Sequence, residues 1–153
     1  LLAGLSRLKN QDFHLSVVGK DRNIQGYEAK AAELGLLDRV RFFGPQSDMR
    51  PFYQIADVLV IPSFYDPFAN VTIEALAMGL FVLSSRYNGG HEILHEENGL
   101  IFEDLLDPDA LASSLEKALE QKKTALSTNA RRNSVKHLDF SKQLHLLMKA
   151  CLE

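Results

Sequence analysis

The residue with the most chemistry to explain is Glu74, a carboxylate set inside the run NVTIEALAM, where Val71, Ile73, Ala75, Leu76, Ala77 and Met78 leave almost no polar face. The spacing predicts a helix over 70–78, capped by Asn70, apolar nearly all round and therefore expected to be buried. A buried carboxylate without a partner is costly, so this one must meet hydrogen-bond donors, a cation or a ligand. The dipole of the helix start or an arginine elsewhere would satisfy it structurally. Two vicinal hydroxyls of a ribose would satisfy it functionally. The turn in front of the helix extends the second alternative, because the backbone N–H groups of 69–72 would point outward and suit a phosphate or diphosphate. Asp66 lies in the preceding loop, PSFYDPF, where it could reach sugar hydroxyls; as part of an Asp-Pro pair it is equally an ordinary turn former.

A second stretch, GGHEILHEENG, places His91, Glu92 and His95 in the pattern H-E-x-x-H. On a long helix that spacing sets two imidazoles one turn apart to grip zinc, with the glutamate activating a water. Here the segment is closed by Asn98-Gly99 and lacks a third ligand in the H-x-x-G-x-x-H continuation. The zinc protease is rejected on that context, and no metal site is expected. His14, His137 and His145 show no ligand spacing. The chain also contains neither G-x-G-x-x-G after a strand nor G-x-x-x-x-G-K-[ST], so a dinucleotide dehydrogenase and a P-loop enzyme are unsupported.

The elements that must position these groups follow from periodicity. Apolar runs at 13–18, 40–43, 58–61, 81–85 and 100–102 read as buried strands, punctuated at their carboxyl ends by Gly19, Gly44, Pro62 and Asn88-Gly89-Gly90. Helical patterns occupy 25–35, 48–56 and 70–78 between them. The alternation implies an α/β fold, a doubly wound parallel sheet with helices on both faces. Asp107-Pro108 caps a helix carrying Leu111, Leu115 and Leu119, and Ser141 can cap a last one carrying Leu144, Leu147, Met148 and Cys151. Ligands of such a sheet bind beyond the carboxyl ends of its strands.

With 153 residues, 46% hydrophobic and 24% charged, the chain has the composition of one globular domain. A formal net charge of −3 offers no basic field for nucleic acid or an anionic membrane. A single cysteine, Cys151, excludes an internal disulfide and fits a reducing, cytoplasmic compartment; no apolar run approaches the roughly 20 residues of a membrane span. Leu1, Leu5 and Leu8 fall at helical spacing with no cap and no strand before them, as in an excerpt of a longer polypeptide.

The run PSFYDPFANVTIEALAMGLFVLSS, followed by NGGHEIL and NGLIF, resembles the C-terminal, donor-binding domain of the retaining nucleotide-sugar glycosyltransferases of GT-B fold, the glycosyl transferases group 1. LSVVGK would be its second strand, ELGLLDRVRFFGP the link into the third and ADVLVIPS the fourth. The family signature is a pair of acidic residues separated by seven others, here Asp66 and Glu74, although the family more often carries Glu at the first. The wording YDPFANV is nearest to members that glucosylate lipopolysaccharide cores. The resemblance implies that Glu74 holds the nucleotide ribose and Asp66 the donor sugar hydroxyls. It implies that the amides of Phe68, Ala69, Asn70 and Val71 hold the sugar and diphosphate, that Gly19 permits close approach of its loop, and that Gly44 lies near the base. It further implies a Rossmann-like half of a GT-B molecule with a helical C-terminal tail. Residues 1–153 would form the donor domain, N-terminally truncated, with the acceptor domain absent. The expected partner is a UDP- or GDP-linked sugar, without a metal cofactor, and membrane contact would come only through the absent part, at the inner face if the acceptor is a lipid. A sugar-nucleotide epimerase of the same architecture and a non-catalytic nucleotide-binding module are the alternatives.

Overall fold

The structure is a computed structural model describing residues 1–10, 12–102, 104–121 and 123–138. Among these the chain runs α1 (Leu2–Leu5), β1 (Leu15–Val18), α2 (Ile24–Glu33), β2 (Val40–Gly44), α3 (Arg50–Ile55), β3 (Val58–Ile61) and α4 (Asn70–Ala77). It continues through β4 (Phe81–Ser85), a 3-10 helix (Gly89–Ile93), β5 (Gly99–Phe102), α5 (Pro108–Leu119) and α6 (Ala125–Ser134). The runs VLVI and FVLSS become strands over the expected residues; FVLSS is buried at every position, whereas in VLVI only Ile61 is fully buried and the other three are half-covered. The helix expected to start at Ser141 lies outside the described residues. No helix among the described residues is long and apolar enough to cross a membrane.

All strand pairs are parallel, but they fall into two pieces, β1–β2 and β3–β4–β5, instead of the single expected sheet. β1 and β3 do not pair with each other.

β4 is the wall between two cores. Phe81 and Leu83 face a cluster with Leu5, Leu36, Leu111 and Leu115 from α1, α5 and the turn after α2, while Val82 faces Ile61, Leu76, Tyr53 and Val135 on the side of α3 and α4. The alternation along one strand delivers helices to both faces. α5 begins as read: the Asp107 carboxylate accepts from the Asp109 amide at 2.9 Å, with Pro108 in the first turn. α4 departs from expectation at its start, where Ala69 is the N-cap and the Asn70 side chain caps nothing.

α6 was not foreseen. Its sequence, ALSTNARRNS, is polar, and what it buries is Arg131, 1% exposed. The guanidinium lies over the Phe81 ring at 5.2 Å from its centroid, and Nη1 donates to the Gly79 carbonyl at 3.3 Å, leaving Nε without a partner. Burial pushes the pKa of Arg131 down, and the charge of Asp57 partly holds it up. Arg131→Met keeps the packed stem and removes the desolvated charge, so it is expected to remain within about 1 kcal/mol of the parent or to exceed it. Arg131→Ala opens a cavity against Phe81 and is expected to lose about 2–4 kcal/mol. Urea unfolding of the two variants side by side checks the ordering.

Candidate active site

The loop after β3 is folded onto the loop after β4 by a short parallel bridge. The Asp66 amide donates to the Tyr87 carbonyl at 3.1 Å, and the Gly89 amide donates to the Asp66 carbonyl at 2.9 Å. Ser85 Oγ adds a bond to the Ser63 carbonyl at 2.5 Å. The residue paired with Asp66 in this bridge is Asn88, 0% exposed. Its Oδ1 accepts from the amides of Ala69 at 3.0 Å and Gly90 at 3.1 Å, and its Nδ2 donates to Ser84 Oγ at 2.9 Å and Thr72 Oγ1 at 3.5 Å. One amide side chain thus ties the end of β4, the start of α4 and the glycine turn together. Sequence reasoning treated Asn88 only as loop punctuation; the polar pair Ser84-Ser85 ending an apolar strand was the available signal that a buried polar network begins there.

Asp66 is half-buried, and its Oδ1 accepts from the Phe68 amide at 3.0 Å, the local turn that an Asp-Pro pair favours. The carboxylate is therefore oriented by the turn it makes, and the turn and site interpretations of Asp66 are compatible. Of the four amides expected to face a ligand, Phe68 is engaged with Asp66 and Ala69 with Asn88. Asn70 and Val71, at the first two positions of α4, have no intrahelical acceptor and remain as donors at the positive end of the helix.

Glu74 corrects the sequence expectation: it is exposed, not buried. α4 is covered on one side only, with Thr72, Ala75 and Leu76 fully buried while Val71, Ile73 and Met78 are half-covered. The apolar composition disguised an open edge. Among the described residues no arginine is paired with the carboxylate; Glu74 Oε2 accepts from the Tyr53 hydroxyl of α3 at 2.8 Å. Tyr53 is itself buried, and its pKa is pushed above the ordinary value, by burial first and then by the bond and charge of Glu74.

Gly19 and Gly44 come together on the other piece of the sheet. Both have positive φ, 143° and 65°, and the Gly19 amide donates to the Gly44 carbonyl at 2.9 Å. A Cβ at either would meet nothing within 4 Å, so it is the backbone conformation that requires glycine there. A depression of about 210 Å³ beside them is lined in part by Val17, Lys20, Ile24 and Phe42.

The H-E-x-x-H residues do not form a zinc grip. His91 and Glu92 lie in the 3-10 helix, but Leu94 is extended (φ −88°, ψ 140°), so His95 is off the helix. His91 Nδ1 pairs with the Asn88 carbonyl at 2.8 Å. Among the described residues no three His, Cys, Asp or Glu side chains are grouped as ligands.

The profile of the family described as glycosyl transferases group 1 matches residues 1–136. The chain is similar to the lipopolysaccharide core biosynthesis glycosyltransferase LpsE of Rhizobium meliloti, 34% identical over 117 residues, 76% of this chain and 34% of that protein. It is similar to the lipopolysaccharide glucosyltransferase WaaG of Escherichia coli, 32% identical over 133 residues, 85% of this chain and 35% of that protein. In fold it superposes on Anabaena Alr3699/HepE, solved in complex with UDP, with a TM-score of 0.81 over 98% of this chain and 44% of that one at 21% identity. The chain thus spans about a third of the length of these curated relatives. With matched residues covering most of the chain, the protein belongs to the glycosyl transferases group 1 family.

Proposed function

We propose that this chain is the donor-binding part of a glycosyltransferase that moves a sugar from a nucleoside diphosphate sugar to an acceptor with retention of configuration. The observation that carries the reading is Glu74: a carboxylate open to solvent at the edge of α4, oriented by a neighbouring hydroxyl, and one helix turn from the free amides of Asn70 and Val71. Its two oxygens suit the 2′ and 3′ hydroxyls of a ribose. The helix start suits the diphosphate, whose charge grows as the glycosidic bond breaks, and an aimed dipole stabilises such a developing charge. Asp66, steadied by the Phe68 amide in the loop before α4, is the residue proposed to accept from hydroxyls of the donor sugar. No metal is assigned a role in this scheme. The UDP held by Alr3699/HepE, a protein of the same fold, agrees with a nucleotide ligand, and UDP and GDP are the first nucleotides to test. An acceptor-binding domain in the same polypeptide and a lipid-linked acceptor at the inner membrane face complete the proposal.

Thermal unfolding with UDP, GDP or ADP in the presence of a chelator tests it. At a hundredfold excess over Kd a ligand adds about 2.7 kcal/mol, which raises Tm by roughly 5–10 °C. That rise is expected for the parent chain and is expected to vanish in Glu74→Gln. Equal stabilisation of both proteins, or of neither, contradicts the assignment of Glu74.

A further inference from the structure

Glu74 is an exposed, flexible side chain, and a flexible side chain loses freedom when it captures a ligand. A rigid neighbour that holds it in the bound orientation beforehand lowers that cost. α3 provides such a neighbour. Tyr53 is 5% exposed and packs in the core with Ile61 and Leu76, so its ring is fixed, yet its hydroxyl reaches Glu74 Oε2 at 2.8 Å. The helix that carries it is anchored at both ends. The Phe52 ring meets Phe43 of β2 edge-on at 5.0 Å between centroids, and Lys123 Nζ donates to the carbonyls of Gln54 at 3.3 Å and Ala56 at 2.7 Å. At the start of α3, Arg50 and Asp48 close a two-bonded pair at 2.8 and 2.9 Å.

We infer that Tyr53 is a positioning residue, which holds the Glu74 carboxylate ready for the paired ribose hydroxyls of a nucleoside diphosphate; the inference rests on the assignment of Glu74 made above. The bond leaves Oε1 and the second lone pair of Oε2 to accept from two hydroxyls, so the tyrosine orients the carboxylate without saturating it. Its raised pKa keeps the phenol a donor throughout the neutral range.

The test is calorimetric titration with whichever of UDP, GDP and ADP binds the parent chain most tightly, and with its 2′,3′-dideoxy counterpart. Tyr53→Phe keeps the ring in its packing and deletes only the hydroxyl; water can replace it at the exposed Glu74. The parent is expected to prefer the natural nucleotide by about a hundredfold, from two hydrogen bonds to a charged acceptor. Tyr53→Phe is expected to bind the natural nucleotide about tenfold more weakly and the dideoxy form unchanged. The preference ratio is internal to each variant, so loss of folded protein does not move it. Equal weakening for both nucleotides, or full preference retained in Tyr53→Phe, overturns the positioning role. Preference retained in Glu74→Gln, or no nucleotide bound by the parent, overturns instead the assignment of Glu74 on which it stands.

Discussion

Asn88→Ala is expected to lower the melting temperature by about 10 °C. The substitution strands two backbone amides, those of Ala69 and Gly90, both in buried residues, and removes donors to Ser84 and Thr72. Each buried group left without a partner costs about 1–3 kcal/mol, so a total of about 3–5 kcal/mol is expected. In a domain of this size each kcal/mol corresponds to roughly 2–4 °C. The loss is larger than truncation of a similar volume of apolar side chain at the surface would give, because the partners left behind are polar groups in the interior. Circular dichroism melting of Asn88→Ala checks it; a shift below 3 °C, on the order of a single kcal/mol, would show that the network contributes little.

The second large effect is expected at Gly89. A Cβ added there would collide with the Pro67 carbonyl oxygen, which belongs to the backbone and cannot swing aside as a flexible side chain would. The segment carrying Asp66 must therefore move, and with it the bridge between Asp66 and Asn88. Gly89→Ala is expected to cost about 2–3 kcal/mol, in the range of overpacked interiors, and to abolish nucleotide-dependent stabilisation. Melting curves with and without nucleotide separate the two consequences. A variant with the parent's Tm and the parent's nucleotide shift would mean the two loops do not need their close approach.

The strand-helix alternation was legible because it rests on burial of β-branched and aromatic runs, and β3 and β4 were located residue for residue. The break between β1 and β3 was not legible, since each strand is apolar whether or not it has a neighbour on both sides. α6 escaped because its buried anchor is an arginine, which periodicity counts as polar. In the candidate site, Asp66 and Glu74 were paired through the family resemblance, and Gly19 and Gly44 were visible as breaks at strand ends. The exposure of Glu74 did not, because half-covered Val71, Ile73 and Met78 look in a sequence like fully buried ones. Its partner, 21 residues away on another helix, is invisible to any local pattern. Asn88 is likewise defined by what folds over it.

A six-residue helix touches both divisions of the sheet. Phe52 braces it against β2, and Tyr53 carries it to α4. α3 is therefore a tie between β2 and the helix that bears Glu74, and a substitution that displaced it would disturb both contacts together.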